Sequence, residues 1–215
     1  MKHSMIVAVG VLVVVTWLLS APASAGPIAG DVAAMPGFSG YRSYSYTGGG
    51  YTLTAEVDFA VYAPLAYPGF DPSSGADYVY AYQIFNSAES TVAVSFFSVG
   101  LEGGSAAYYA GQDISEDAPG LVAGQSPFLA MVGSTSVCWL FYPGLPVGGH
   151  STTLLFTSPY GPIWKSGALA DGGLPTPGSD LVPSPMPEPA TVALVGIGSA
   201  MMIAVRVRRR RRRSQ

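Results

Sequence analysis

Few residues in this chain have the types and spacing for catalysis. Cys138 is the only cysteine, and it sits in Ser136-Val137-Cys138-Trp139-Leu140-Phe141-Tyr142, a run of strand-forming residues. A thiol nucleophile needs a base within reach, and His150 is the only histidine away from the N-terminus. The expected state of Cys138 is therefore a buried, inert thiol in a strand. Three carboxylates, Asp113, Glu116 and Asp117, fall within five residues and would suit a cation if they converged, but neighbours in a polar loop usually stay solvated. Asp71-Pro72-Ser73-Ser74-Gly75-Ala76-Asp77 sets oxygens around a glycine yet lacks the closing bidentate carboxylate of a calcium loop, so an Asp-Pro turn is expected. There is no His-Glu-x-x-His, Cys-x-x-Cys, Gly-x-Ser-x-Gly or phosphate-binding glycine loop. The expectation is a protein that is not an enzyme and needs no cofactor or metal.

Tyrosine is the unusual resource. All 13 tyrosines lie between Gly26 and Met186, with Trp139 and Trp164. Aromatic rings stack on the C–H faces of sugars, and Tyr hydroxyls and carboxylates bond to sugar hydroxyls, so a carbohydrate-binding face is one reading. Filling half-buried strand positions is the other. Paired acids could also support glycoside hydrolysis, but twelve acids in the middle of the chain give many arbitrary pairs.

The elements that must position these residues read as strands. Tyr51, Leu53, Ala55, Val57, Phe59 and Val61 alternate with polar residues, the period of a half-buried strand. Tyr78–Phe85 and Thr91–Val99 flank a short polar loop and read as a hairpin. Further strands are expected near Gly103–Ala110, Pro127–Gly133, Ser136–Tyr142 and Ser151–Thr157, with Ile163–Lys165 as a last edge segment. Pro143 to Gly149 reads as a turn. Many short strands separated by turns indicate an all-β, antiparallel β-sandwich.

The ends have a different character. Lys2, the apolar run Met5–Leu19 and Ala23-Ser24-Ala25 have the form of a signal peptide cleaved after Ala25, with a helical apolar region. At the other end, Pro187-Glu188-Pro189 precedes an apolar run, Ala190–Val205. A basic stop follows, made of Arg206, Arg208, Arg209, Arg210, Arg211, Arg212 and Arg213. Sixteen helical residues span roughly 24 Å, a short transmembrane helix that Arg206 extends by snorkelling. The arginines hold their end on the cytoplasmic side and leave the bulk of the chain outside. Between the ends, Arg42 and Lys165 face twelve acids, a net charge of −10 hidden by the whole-chain value of −3. Such a domain is a poor ligand for nucleic acid.

The C-terminal arrangement resembles the PEP-CTERM sorting signal of Gram-negative bacteria: Pro187, Glu188 and Pro189, the apolar span, then the Arg206–Arg213 cluster. The resemblance implies recognition by an exosortase, a membrane cysteine peptidase that cuts near the tripeptide. The chain would be anchored briefly in the inner membrane and then released to the envelope surface or an exopolysaccharide matrix. Tyr80–Asn86 and Leu145–Phe156 resemble segments of the Ig-like domains found beside this signal. The expected organisation is a signal peptide (1–25), an extended Gly/Ser/Tyr-rich lead-in (26–50), a β-sandwich (51–171), a Pro/Gly-rich linker (172–186) and the sorting signal (187–215). The expected role is structural or adhesive, with exosortase and the membrane as partners. A carbohydrate-binding module for extracellular polysaccharide and an extracellular polysaccharide hydrolase are the alternatives.

Overall fold

The computed structural model describes residues 27–103, 105–115, 118–119, 124–170 and 181–187. The expected signal peptide, the apolar span and the arginine cluster lie outside these residues. Among the described residues there is no α-helix; a 3-10 turn, Pro27–Gly30, precedes ten strands. They are β1 (Ser39–Gly48), β2 (Tyr51–Tyr62), β3 (Tyr78–Asn86), β4 (Val94–Gly100), β5 (Tyr109–Asp113), β6 (Leu129–Val132), β7 (Ser136–Leu145), β8 (Thr153–Ser158), β9 (Pro162–Ala170) and β10 (Leu181–Pro185). They form two antiparallel five-stranded sheets, ordered β1-β2-β3-β8-β5 and β10-β9-β4-β7-β6.

The sheets share one apolar core. Leu53, Val57, Phe59, Tyr80, Tyr82 and Phe156 of the first sheet meet Phe97, Val99, Val137, Trp139 and Leu169 of the second. Trp139 is fully buried and donates its indole N–H to the Gly111 carbonyl at 2.8 Å, closing one side of the sandwich between β7 and β5. Arg42 closes the other side. Its guanidinium lies 5.3 Å from the Phe59 ring centre and 5.0 Å from that of Trp164, and Nε donates to the Leu181 carbonyl of β10. The hydrogen bond thus joins the edges β1 and β10, and the cation–π contacts tie the same guanidinium to β2 and β9.

Five departures from the sequence reading follow from this plan. The lead-in is not merely extended: Ser39–Gly48 is a full edge strand paired with β2 through a Gly49-Gly50 turn, both glycines at positive φ. Its alternation is weak in the sequence because Arg42 holds an inward position opposite Val57, where an apolar residue would be expected. The expected hairpin of Tyr78–Phe85 with Thr91–Val99 does not form. β3 pairs with β2 and β8, whereas β4 pairs with β7 and β9 in the other sheet. Asn86 makes the crossing: its buried amide donates to the carbonyls of Val92 and Leu145, each at 3.0 Å. The linker, too, ends in structure. Leu181–Pro185 pairs with β9, and Pro183 and Pro185 are tolerated because β10 is an edge. β9 in turn lies between β4 and β10 and is no edge. Pro143–Leu145, read as turn, continues β7.

Candidate functional site

The first sheet carries a second, smaller core on its outer face. Ile28, Ala60, Tyr62, Tyr67, Val79, Ala81 and Leu155 pack there, under the 3-10 turn and the loop after β2. One row further along the same face the registers align Asp58 with Gln83, and Thr153 with Asp113, all four at 3 % exposure or less. Asp113 is the acid of this row whose partners define its role. Its Oδ2 accepts from the Tyr67 hydroxyl at 2.9 Å and the Phe70 N–H at 2.8 Å, and its Oδ1 accepts from the Ser115 N–H at 2.8 Å. Gly69 makes this approach possible, since a Cβ there would sit 2.1 Å from Oδ2. Burial, with Asp113 adding to it, pushes the Tyr67 hydroxyl far above the usual tyrosine range. Tyr62 is raised in the same way by burial and by its bond to Asp31.

These carboxylates are therefore fold-holding groups. Asp71 is another: its oxygens accept from the Ser73 N–H and hydroxyl and the Gly75 N–H, which is the expected turn. Glu102 pairs with Lys165, which lowers the Glu102 carboxyl below its ordinary range. Glu116 and Asp117 lie outside the described residues, as do Ala23 and Ala25 of the expected signal-peptide cleavage site. Of the expected sorting tripeptide, Pro187 is described, whereas Glu188 and Pro189 lie outside. Every arginine of the expected basic stop lies outside as well: Arg206, Arg208, Arg209, Arg210, Arg211, Arg212 and Arg213. No group of three metal-ligating side chains occurs among the described residues.

Cys138 and His150 are not brought together. Cys138 lies on β7 in the second sheet, between Ser98 and Met131, while His150 bridges to Phe85 of the first sheet and stacks on its ring at 5.8 Å. Cys138 is also not in the core. The inward positions of β7 are Val137, Trp139 and Phe141, so Cys138 falls on the outer face, half-exposed, where partial burial raises its thiol. A raised thiol is the opposite of an activated one.

The tyrosines divide. Tyr44, Tyr62, Tyr67, Tyr80 and Tyr82 are buried, and Tyr80 and Tyr82 stack with Phe156 in the shared core. Five of the 13 tyrosines are thus packing residues, and Tyr41, Tyr108 and Tyr142 are exposed. Among the described residues, an exposed aromatic pair joins Phe128, 72 % exposed, to Tyr142, 82 % exposed, edge to face at 6.2 Å.

Phe128 and Tyr142 belong to a wider feature that sequence reading missed. The β6–β7 hairpin lies in an uncharged run of sequence: from Ala118 to Trp164 there is no Asp, Glu, Lys or Arg. On the outer face of the second sheet the register sets Leu129 beside Leu140 and Phe96, and Met131 beside Cys138 and Ser98. Leu129, Met131 and Val132 are exposed. The signal was available as a long charge-free run in an otherwise acidic domain. Comparison with family models, curated proteins and solved structures found no match.

Proposed function

We propose that this chain is an exported, non-catalytic protein of the cell envelope or extracellular matrix, delivered by a PEP-CTERM-type signal and trimmed by an exosortase. The observation that carries the reading is the order Pro187-Glu188-Pro189, apolar span, arginine cluster, placed directly after an all-β domain. The fold supports it by where it stops. β10 ends at Pro185, the Met186 N–H still donates to the Gly161 carbonyl at 3.0 Å, and the tripeptide begins at the next residue. With Ala190–Val205 as a transmembrane helix, Met186 to Pro189 would hold the domain within about 13 Å of the bilayer. That tether is much shorter than a 15-residue linker from 172 to 186. The two packed sheets are also compatible with an Ig-like sandwich, whose chain crosses between sheets as β3 to β4 and β7 to β8 do here.

Intact mass of the mature protein, with cell fractionation, tests the reading. The expected product lacks residues 1–25 and the arginine cluster and is found at the surface or in the matrix. A mature product that keeps Arg208 to Arg213, or a full-length chain in the cytosol, overturns it.

Carbohydrate binding is the second reading, favoured by the exposed Phe128–Tyr142 pair. Glycan-array binding lost in Tyr142→Ala would select it. For hydrolysis, Asp71 and Asp113 offer no free pair, since their oxygens are engaged by backbone and hydroxyl donors.

A further inference from the structure

We propose that β6 is a docking edge for the β6 of a second copy of this chain, joining two second sheets into one continuous sheet across a two-fold axis. The four sheet edges differ in how they are protected. β10 carries Pro183 and Pro185, β1 carries Arg42 bonded across to β10, and β5 ends on the buried Asp113. β6, Leu129-Ala130-Met131-Val132, has no proline, no charge and no glycine. The Gly133 N–H donates to the Ser136 carbonyl at 2.8 Å, so the alternation of an antiparallel ladder turns the backbone groups of Ala130 and Val132 away from β7.

These outward groups select the occupant. Lipid and sugar do not supply backbone donors and acceptors at the strand repeat, whereas another extended peptide does. A charged peptide would lay its charge against exposed Leu129 and Met131. The β6 of a second copy is uncharged and self-complementary. It also meets its partner within a charge-free stretch, while two copies approaching through the rest of a domain of net charge −10 repel. A two-fold axis at Met131 pairs Ala130 of each copy with Val132 of the other and sets the two Met131 side chains opposite each other on the outer face. The interface is small, under about 1,200 Å² in all, so the association is weak and reversible.

The test uses the full chain in detergent, followed by sedimentation to the highest attainable concentration, with thermal unfolding of each variant as a fold control. Wild type is expected to pass from monomer to dimer. Val132→Pro removes an outward N–H without breaking a bond to β7, and should weaken dimerisation about tenfold or more, since two hydrogen bonds are lost across the axis. Met131→Lys and Met131→Glu should each stay monomeric, and an equimolar mixture of the two should dimerise. Cys138 supplies an independent readout. In the joined sheet its sulfur lies three strand spacings, about 14 Å, from its counterpart, so a bis-maleimide of that span should link two copies of wild type and not of Val132→Pro. Wild type that remains monomeric overturns the proposal. Association that survives all three variants, or a failure of the Lys/Glu mixture to restore it, does so too. A monomeric chain whose binding to liposomes or to glycans is lost in Met131→Lys would assign this face to that occupant instead.

Discussion

The two sheets bury their inner faces alike and treat their outer faces oppositely. On the first sheet the outer face is closed by Ile28, Tyr62 and Tyr67 over Val79, Ala81 and Leu155. On the second it stays open, with Cys138 and Leu140 half-exposed and Leu129 and Met131 exposed. Charge follows the same division in an unexpected sense. The strands of the covered sheet hold Arg42, Glu56, Asp58 and Asp113, whereas those of the open sheet hold only Lys165. A covered face tolerates acids because loop donors meet them, as Tyr67 and Phe70 meet Asp113. An open face normally carries charge to stay single, and this one carries little, which sets it apart from the covered face of the first sheet.

One pair of substitutions would break this comparison outright. Ala81→Lys places a cation under the cover of the first sheet, where Ala81 is fully buried, and is expected to cost about 4 kcal/mol or more and to unfold the domain near room temperature. Met131→Lys makes the same chemical change on the open face and is expected to stay within about 0.5 kcal/mol of wild type. Thermal unfolding of the full chain reads both. Equal losses would mean the faces do not differ as described. A step smaller in effect, Ile28→Ala removes an aliphatic side chain that is fully buried outside the sandwich proper, and is expected to cost about 2–5 kcal/mol. A cost near zero would show that the cover contributes nothing.

The sequence was legible where one face meets water and obscure where both are covered. β2 shows the boundary within a single strand. From Thr52 to Val57 its burial alternates, and from Asp58 to Tyr62 every residue is buried. The period of two identified the strand but not the cover, because Ile28 and Tyr67 lie in segments with no periodicity. β1 and β10 were hidden for opposite reasons: an arginine in an inward slot disguised the first, and prolines disguised the second. The polar row could not be foreseen either, since Asp58, Gln83, Thr153 and Asp113 come together only through the registers of four strands. Conversely, the Asp71 turn was legible because its bonds are local.

A sharper version of the comparison uses Asp113. In Asp113→Asn, an amide N–H₂ replaces one oxygen and confronts the donors of Tyr67 and Phe70 or of Ser115, an expected loss of about 1–3 kcal/mol. The same site gives a pH dependence. Tyr62 and Tyr67 have hydroxyls raised in the fold above their ordinary 10.0, so the folded state holds those protons more tightly than the unfolded state. Their contribution is fully present below pH 10.0 and is lost as pH rises beyond it. Unfolding followed by tyrosinate absorbance should show these rings ionising only as the domain opens. Tyr67→Phe should reduce the alkaline loss. Buried rings that ionise at pH 10.0 with the fold intact would show that the cover admits water.

The smallest expected effect falls on the open face and is the most specific to it. Cys138 lies opposite Met131 and Ser98, with its side chain on the outer side of the second sheet, so Cys138→Ser should change stability by no more than about 0.5 kcal/mol. A thiol among Val137, Trp139 and Phe141 would behave otherwise, since serine would bring an unsatisfied hydroxyl into the core at a cost of about 1–3 kcal/mol. Alkylation separates the two placements without any mutation. Partial burial raises the thiol above its ordinary 9.0, so labelling of the native chain should be slow near neutrality and accelerate as pH passes 9.0, with no denaturant needed. Edge-to-edge pairing through β6 leaves this outer face open, so the labelling should persist in a dimer. Labelling that requires denaturant at every pH would mean the outer face of the second sheet is covered as thoroughly as that of the first.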